Sequence, residues 1–223
     1  MNPSPRTIAL GDIHGCSAAL DALVAVIDLR PEDTLVTLGD TIDRGLDSRG
    51  VLDRLIVLKD RCRLVPLMGN HDRMLLDALA DRDGRGRALW MGCGGVATLR
   101  SYGDVDDPRE IPAEHIRFLR SCRLFFETET HLFVHANYQA DRPLAGQPEG
   151  VLLWQSLRDA EPGPHLSGKA AIVGHSSQKT GEVLDLGYLK CIDTYCYGGK
   201  WLTALDVDSG RLWQADARGK MRR

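Results

Sequence analysis

No two cysteines in this chain have the C-x-x-C spacing. The six present, Cys16, Cys62, Cys93, Cys122, Cys191 and Cys196, are scattered along its length. That excludes a cysteine-ligated zinc module and a C-x-x-C redox centre. Scattered cysteines in a chain this long read as reduced thiols, and the cytoplasm is the expected compartment. No apolar run approaches the roughly 20 residues that span a bilayer, so no membrane partner is expected. No apolar h-region follows the amino-terminal Met-Asn-Pro-Ser-Pro-Arg, so no signal peptide is expected. Positive charge is not in excess either: the net charge is −3. A dedicated nucleic-acid binder carries a basic field, so no stable nucleic-acid partner is expected. An anionic substrate stays open, because bound metal ions reverse the local sign of charge.

What is there is enough for one large core. The chain has 223 residues, 43% of them hydrophobic and 26% charged, the balance of an ordinary globular protein, and a single domain over 1–223 is expected. Residues 7–10 read as a buried strand, followed by Gly-Asp-Ile-His-Gly and a helical stretch over 17–29. The pattern repeats: a strand over 34–38 and a helix over 48–60, then a strand over 64–68 and a helix over 74–81. This β-α-β-α-β-α order predicts an α/β fold. A polar loop over 81–87 and helices over 89–102 and 113–120 predict a small helical insertion, about 82–121, covering the sheet edge or the site. Strands return as a hairpin over 124–128 and 131–134, then at 170–173. Runs at 188–192, 202–207 and 212–215 suggest an antiparallel meander with a turn at Asp208-Ser209-Gly210.

The informative fact is where the polar residues fall. Asp12 and His14 follow the first strand, Asp40 and Asp43 the second, and Asn70, His71 and Asp72 the third; His135 and His175 end later strands. Ligand sites in open α/β sheets lie beyond the carboxyl ends of the strands, so these residues converge. Oxygen and imidazole ligands without thiolate suit manganese, iron or zinc in a hydrolytic site. One bridging carboxylate could hold two divalent ions about 3.5–4 Å apart, an arrangement that activates a shared water. Taken alone, Asp12 or Asp40 would read as a helix cap and a lone histidine as a core residue. His115, His131 and His165 lack such context and read as non-catalytic.

Three ordered motifs carry a resemblance. Gly11-Asp12-Ile13-His14-Gly15, Gly39-Asp40-Thr41-Ile42-Asp43-Arg44-Gly45 and Gly69-Asn70-His71-Asp72 resemble the signatures of PPP-type phosphoprotein phosphatases, within the calcineurin-like metallophosphoesterases. His135 in Val-His-Ala-Asn and His175 in Val-Gly-His-Ser match the two later histidines, and Ile192-Asp193-Thr194 resembles the closing strand region. The chain's length and its 90–102 stretch are similar to the short bacterial and phage branch. Diadenosine tetraphosphatases share the motifs.

The resemblance implies a two-sheet αββα sandwich and a metal-dependent phosphatase with two ions, manganese first among the candidates. Asp12 and His14 would hold the first ion, Asp40 would bridge, and Asn70, His135 and His175 would hold the second. A metal-bridging hydroxide would attack phosphorus directly. His71, oriented by Asp43, would protonate the leaving oxygen. Arg44 and Arg158 would bind phosphoryl oxygens. Asp72 would support the ligands. No activated serine or cysteine accompanies the site, so no phosphoenzyme is required. The implied substrates are phosphorylated proteins or small phosphoesters. The rivals are a dinucleoside polyphosphate hydrolase, an inactive phospho-ligand binding module and a nuclease-like phosphodiesterase. The chain departs from the family pattern at Met68, where arginine is common, at Asp72, where the eukaryotic enzymes usually have glutamate, and at Ala136-Asn137, where glycines often follow.

Overall fold

A computed structural model describes residues 4–223. The elements run β1 (Thr7–Leu10), α1 (Ser17–Ile27), β2 (Thr34–Thr37), α2 (Ser48–Leu58), β3 (Arg63–Pro66) and α3 (Asn70–Ala80). Then come α4 (Arg85–Trp90), a π-turn (Met91–Gly95), α5 (Val96–Ser101) and α6 (Ala113–Arg120). The second half holds β4 (Phe125–Glu127), β5 (His131–Val134), α7 (Glu149–Trp154), β6 (Ala170–Val173), β7 (Leu184–Asp185), β8 (Leu189–Cys191), β9 (Leu202–Asp206) and β10 (Leu212–Ala215).

Two five-stranded sheets form, in the orders β10-β9-β1-β2-β3 and β4-β5-β6-β8-β7. β1, β2 and β3 are parallel, and β9 and β10 add antiparallel strands beside β1. In the second sheet β5, β6 and β8 are parallel, edged by antiparallel β4 and β7.

Strand alternation sorts each side chain to a layer. Ala9, Val36, Phe133 and Ile172 face the interior between the sheets, packed with Leu38, Leu205 and Ile192. Their neighbours Ile8, Leu10 and Leu35 face outward onto α1, α2 and the insertion. Leu132, Val134, Ala171 and Val173 face the other way, onto the segment holding Tyr138, Leu144 and Leu152. This is the expected αββα sandwich, with hydrophobic cores on both outer faces and one between the sheets.

Several expectations need correction. The three-strand meander does not form: β8 joins the second sheet, parallel to β6, while β9 and β10 pair antiparallel in the first sheet around the Asp208-Ser209-Gly210 turn. Helix α3 begins at Asn70, not at 74, because the Asp72 carboxylate turns back to accept the Gly69 N–H at 3.0 Å. The expected 89–102 helix starts earlier, at Arg85, and is broken at the Met91–Gly95 turn by Gly94 at φ +127°. Helix α7 and strand β7 are additions to the elements expected from the sequence. The insertion packs on α2 and α3, on the outer face of the first sheet, and reaches the strand-end site through Trp90, Gly94 and Thr98. Among the described residues no helix is long and apolar enough to cross a membrane.

Candidate metal centre

The motif residues leave β1, β2, β3, β5 and β6 at their carboxyl ends and meet. Asp40 belongs to two groups of prospective ligands. With His14 and His71 it forms a trio whose donor atoms all lie within 4.8 Å of one another, and with His135 and His175 it forms a second. Asp40, Asp12, His14, His71 and His135 are all buried. Backbone strain is concentrated here: His14, Asp40, Asp43, Arg44 and His175 all have positive φ, a conformation non-glycine residues seldom adopt.

His14, His135 and His175 each have one nitrogen spent on a carbonyl. His14 Nδ1–H donates to Ile42 O at 2.9 Å and His135 Nδ1–H to Leu38 O at 2.8 Å. A carbonyl only accepts, so in the neutral ring the other nitrogen, Nε2, presents a lone pair. His14 Nε2 lies 3.3 Å from Asp40 Oδ2; burial opposes a charged ring, but the Asp40 carboxylate outweighs it and raises His14 above its usual value. In His135 the lone pair faces Asn70 Oδ1 at 3.0 Å and Asp40 Oδ1 at 3.5 Å. His175 reverses the pattern, with Nε2 3.2 Å from Trp154 O and Nδ1 2.9 Å from the same Asn70 oxygen. Lone pairs from three residues therefore point at each other, an arrangement that a cation resolves.

The carboxylates tell the same story. Asp12 Oδ2 accepts the His175 N–H at 3.0 Å, while Asp12 Oδ1 is buried with no hydrogen-bond partner. Only glycine fits at 174, because a Cβ there would meet Asp12 Oδ1 at 2.0 Å. Burial, then the charges of Asp193 and Asp40, push the Asp12 carboxyl well above its usual range. Burial opposes ionisation of Asp40 as well, but His135, His71 and His14 outweigh it and hold Asp40 well below. Burial, then His135, lowers His175 to about 4, and burial lowers His135, a direction that favours the neutral ring a ligand needs. Hard carboxylate oxygens, an amide oxygen and neutral imidazoles fit divalent manganese, iron or zinc.

His71 differs from the other histidines. Its Nδ1 lies 2.8 Å from Asp43 Oδ2, and its backbone N–H donates to Asp40 Oδ1 at 3.0 Å. One ring nitrogen is thus bound to a carboxylate beside the cluster rather than to a carbonyl. Asp72 accepts from Thr41 N at 3.1 Å and Thr41 Oγ1 at 2.6 Å as well as from Gly69 N, and so ties the second motif to the third. Burial, then Asp40, raises it to about 6.

Of the two arginines, Arg44 is exposed beside the cluster, stacked 4.7 Å over the Tyr197 ring and donating to its hydroxyl. Tyr197 in turn lies edge-on to His14, with ring centroids 4.8 Å apart. Arg158 is also exposed and donates to Ser177 O, two residues past His175. The remaining histidines lie outside both trios. His115 is bound between Tyr102 and Asp53, His165 between Ser167 and Arg142, and His131 to Thr130. Four residues of the site were not singled out from the sequence: Asp193, Tyr197, Trp90 and Thr98. Asp193 lies in a quoted motif and Trp90 and Thr98 in the 90–102 stretch of the resemblance, while nothing in the sequence marks Tyr197.

Residues 5–208 match the family model of the calcineurin-like phosphoesterases, and the chain belongs to that family. A symmetrical bis(5'-nucleosyl)-tetraphosphatase of Acidovorax sp. (strain JS42) is 50% identical over 70 residues, which are 31% of this chain and 24% of that protein. The chain thus matches about a quarter of that relative's length. Serine/threonine-protein phosphatase 2 of Salmonella typhimurium is 31% identical over 157 residues, 67% of each protein. Among solved structures, a protein proposed to be a diadenosine tetraphosphatase superposes with a TM-score of 0.71 at 22% identity, covering 96% of this chain and 94% of that one. At that identity the likeness speaks for the fold.

Proposed function

We propose that this chain is a two-metal phosphatase that hydrolyses phosphate monoesters by one displacement at phosphorus. The observation that carries the reading is Asp40, which groups with His14 on one side and with His135 and His175 on the other, beside the His71–Asp43 pair. Asp12, His14 and Asp40 would hold one ion, and Asp40, Asn70, His135 and His175 the other. Bound divalent ions neutralise phosphoryl charge and make a shared water acidic enough to attack at neutral pH; manganese suits this donor set.

The chain's own residues do the rest. Arg44 swings from Tyr197 to bind phosphoryl oxygens, and Arg158 binds them from the His175 side. His71 gives a proton to the leaving oxygen, while Asp43 accepts the Nδ1–H and fixes the ring. Asp72 holds the two motif loops in register.

The substrate class proposed is a phosphorylated protein or a small phosphoester. A second reading, a dinucleoside polyphosphate hydrolase, is favoured by the name of the Acidovorax relative. Rates of the manganese-loaded protein on a phosphoserine peptide and on diadenosine tetraphosphate decide between them. Faster turnover of the peptide supports the first, and faster turnover of the dinucleotide the second. Metal binding without turnover of either, or of an aryl phosphate, would mean a binding module instead.

A further inference from the structure

The Asp43 carboxylate is held by more than His71. Trp90 Nε1–H points between its oxygens, 3.0 Å from Oδ1 and 3.0 Å from Oδ2. Thr98 Oγ1–H donates to Oδ1 at 2.7 Å, and the same hydroxyl accepts the Asp43 N–H at 3.0 Å, as does Ser48 Oγ. Trp90, Thr98 and Asp43 are each wholly buried. Both donors come from the helical insertion, on either side of the Met91–Gly95 turn.

That turn is shaped to seat them. A Cβ at residue 95 would lie 2.5 Å from the Trp90 ring, so a glycine there lets the indole tuck under the turn. Gly94 O accepts the Arg44 N–H at 3.3 Å, so the turn also grips the backbone just after Asp43. Asp43 and Arg44 have φ of +71° and +68°, a conformation that persists only where its surroundings enforce it.

We propose that Trp90 and Thr98 are positioning residues: they fix the Asp43 carboxylate and, through it, the ring of His71. A buried indole N–H must find an acceptor, and phenylalanine, though smaller, would occupy most of this volume without needing one. Here the N–H is aimed at the one carboxylate that orients the proton donor. Without it the carboxylate is free to rotate, the His71 Nδ1–H loses its fixed acceptor, and proton delivery to the leaving oxygen slows. The insertion is then part of the acid-delivery apparatus and not a cover. This rests on the general-acid role proposed for His71.

The test uses Trp90→Phe in the full chain, with Thr98→Val and Thr98→Ser as a second pair in case the tryptophan variant fails to fold. On a phosphoserine peptide, kcat should fall roughly 10- to 100-fold in Trp90→Phe and in Thr98→Val, with KM and metal content unchanged. On an aryl phosphate with an acidic leaving group the loss should be a few-fold at most. Thr98→Ser keeps the hydroxyl and should restore the rate. In the metal-free protein, the downfield Nδ1–H proton of His71, read by NMR, should be present in the wild type and lost or exchange-broadened in Trp90→Phe. Equal losses on the two substrates, full activity in both variants, or an unchanged His71 proton would overturn the proposal. His71→Asn run alongside separates the two levels. A leaving-group split there without one in Trp90→Phe overturns the clamp alone, and no split in His71→Asn overturns the acid role and the clamp together.

Discussion

His71 Nδ1 sits 2.8 Å from Asp43 Oδ2, and both residues are buried. That contact to a carboxylate separates His71 from His14, His135 and His175, each of which has a ring nitrogen tied to a carbonyl. General acid catalysis contributes about 10²–10⁴-fold. His71→Asn should therefore retain its metal and lose turnover on alkyl phosphates by that order, with a smaller loss on an aryl phosphate, whose leaving group needs little protonation. Rates on both substrates decide it. Equal losses would contradict the acid role, and loss of metal would make His71 a ligand.

Asp40 stands in both ligand trios. It adopts φ +47°, a region asparagine tolerates better than most residues, so Asp40→Asn should keep the backbone and remove only the charge. Metal content and turnover should fall together, by at least tenfold each. A variant with wild-type rate and metal content would show Asp40 to be a structural residue.

Far from the site, Arg6 and Arg30 both donate to the buried Asp33, with contacts of 2.5 Å and 2.7 Å. Burial alone would raise this carboxyl, but the arginine hydrogen bonds outweigh it and hold Asp33 well below its usual range. Its contribution to stability is full above the unfolded value of about 3.9 and is lost as pH falls from there through the lower folded value. Asp33→Asn should cost about 3 kcal/mol at pH 7, and its deficit against wild type should shrink on going to pH 3. Denaturant titrations at the two pH values check this. A deficit that does not change with pH would refute it.

The sequence and the structure agree most closely at the strand ends. Asp12, Asp40, Asn70, His135 and His175 each follow a short apolar run, and strand periodicity with glycine turns is enough to bring such positions to one edge. Sheet membership was less legible. The run at 188–192 is as apolar as its neighbours, and nothing local tells a three-residue strand which sheet it will join. The start of α3 was obscured because Gly69 is a weak helix start and the cap comes from Asp72, inside the helix. The hold of Trp90 on Asp43 could not be read at all. The two lie 47 positions apart, and the direction of an indole N–H is set by the fold around Gly94 and Gly95, not by the spacing of motifs.

Metal stoichiometry tied to turnover tests the central claim most directly. The protein is stripped with a chelator, titrated with manganese, and followed by elemental analysis and by hydrolysis of an aryl phosphate. The account predicts no turnover when stripped and full turnover as the second ion per chain is filled, with Asp40→Asn failing to recover. Full activity in chelator, or full activity with one ion per chain, would contradict it.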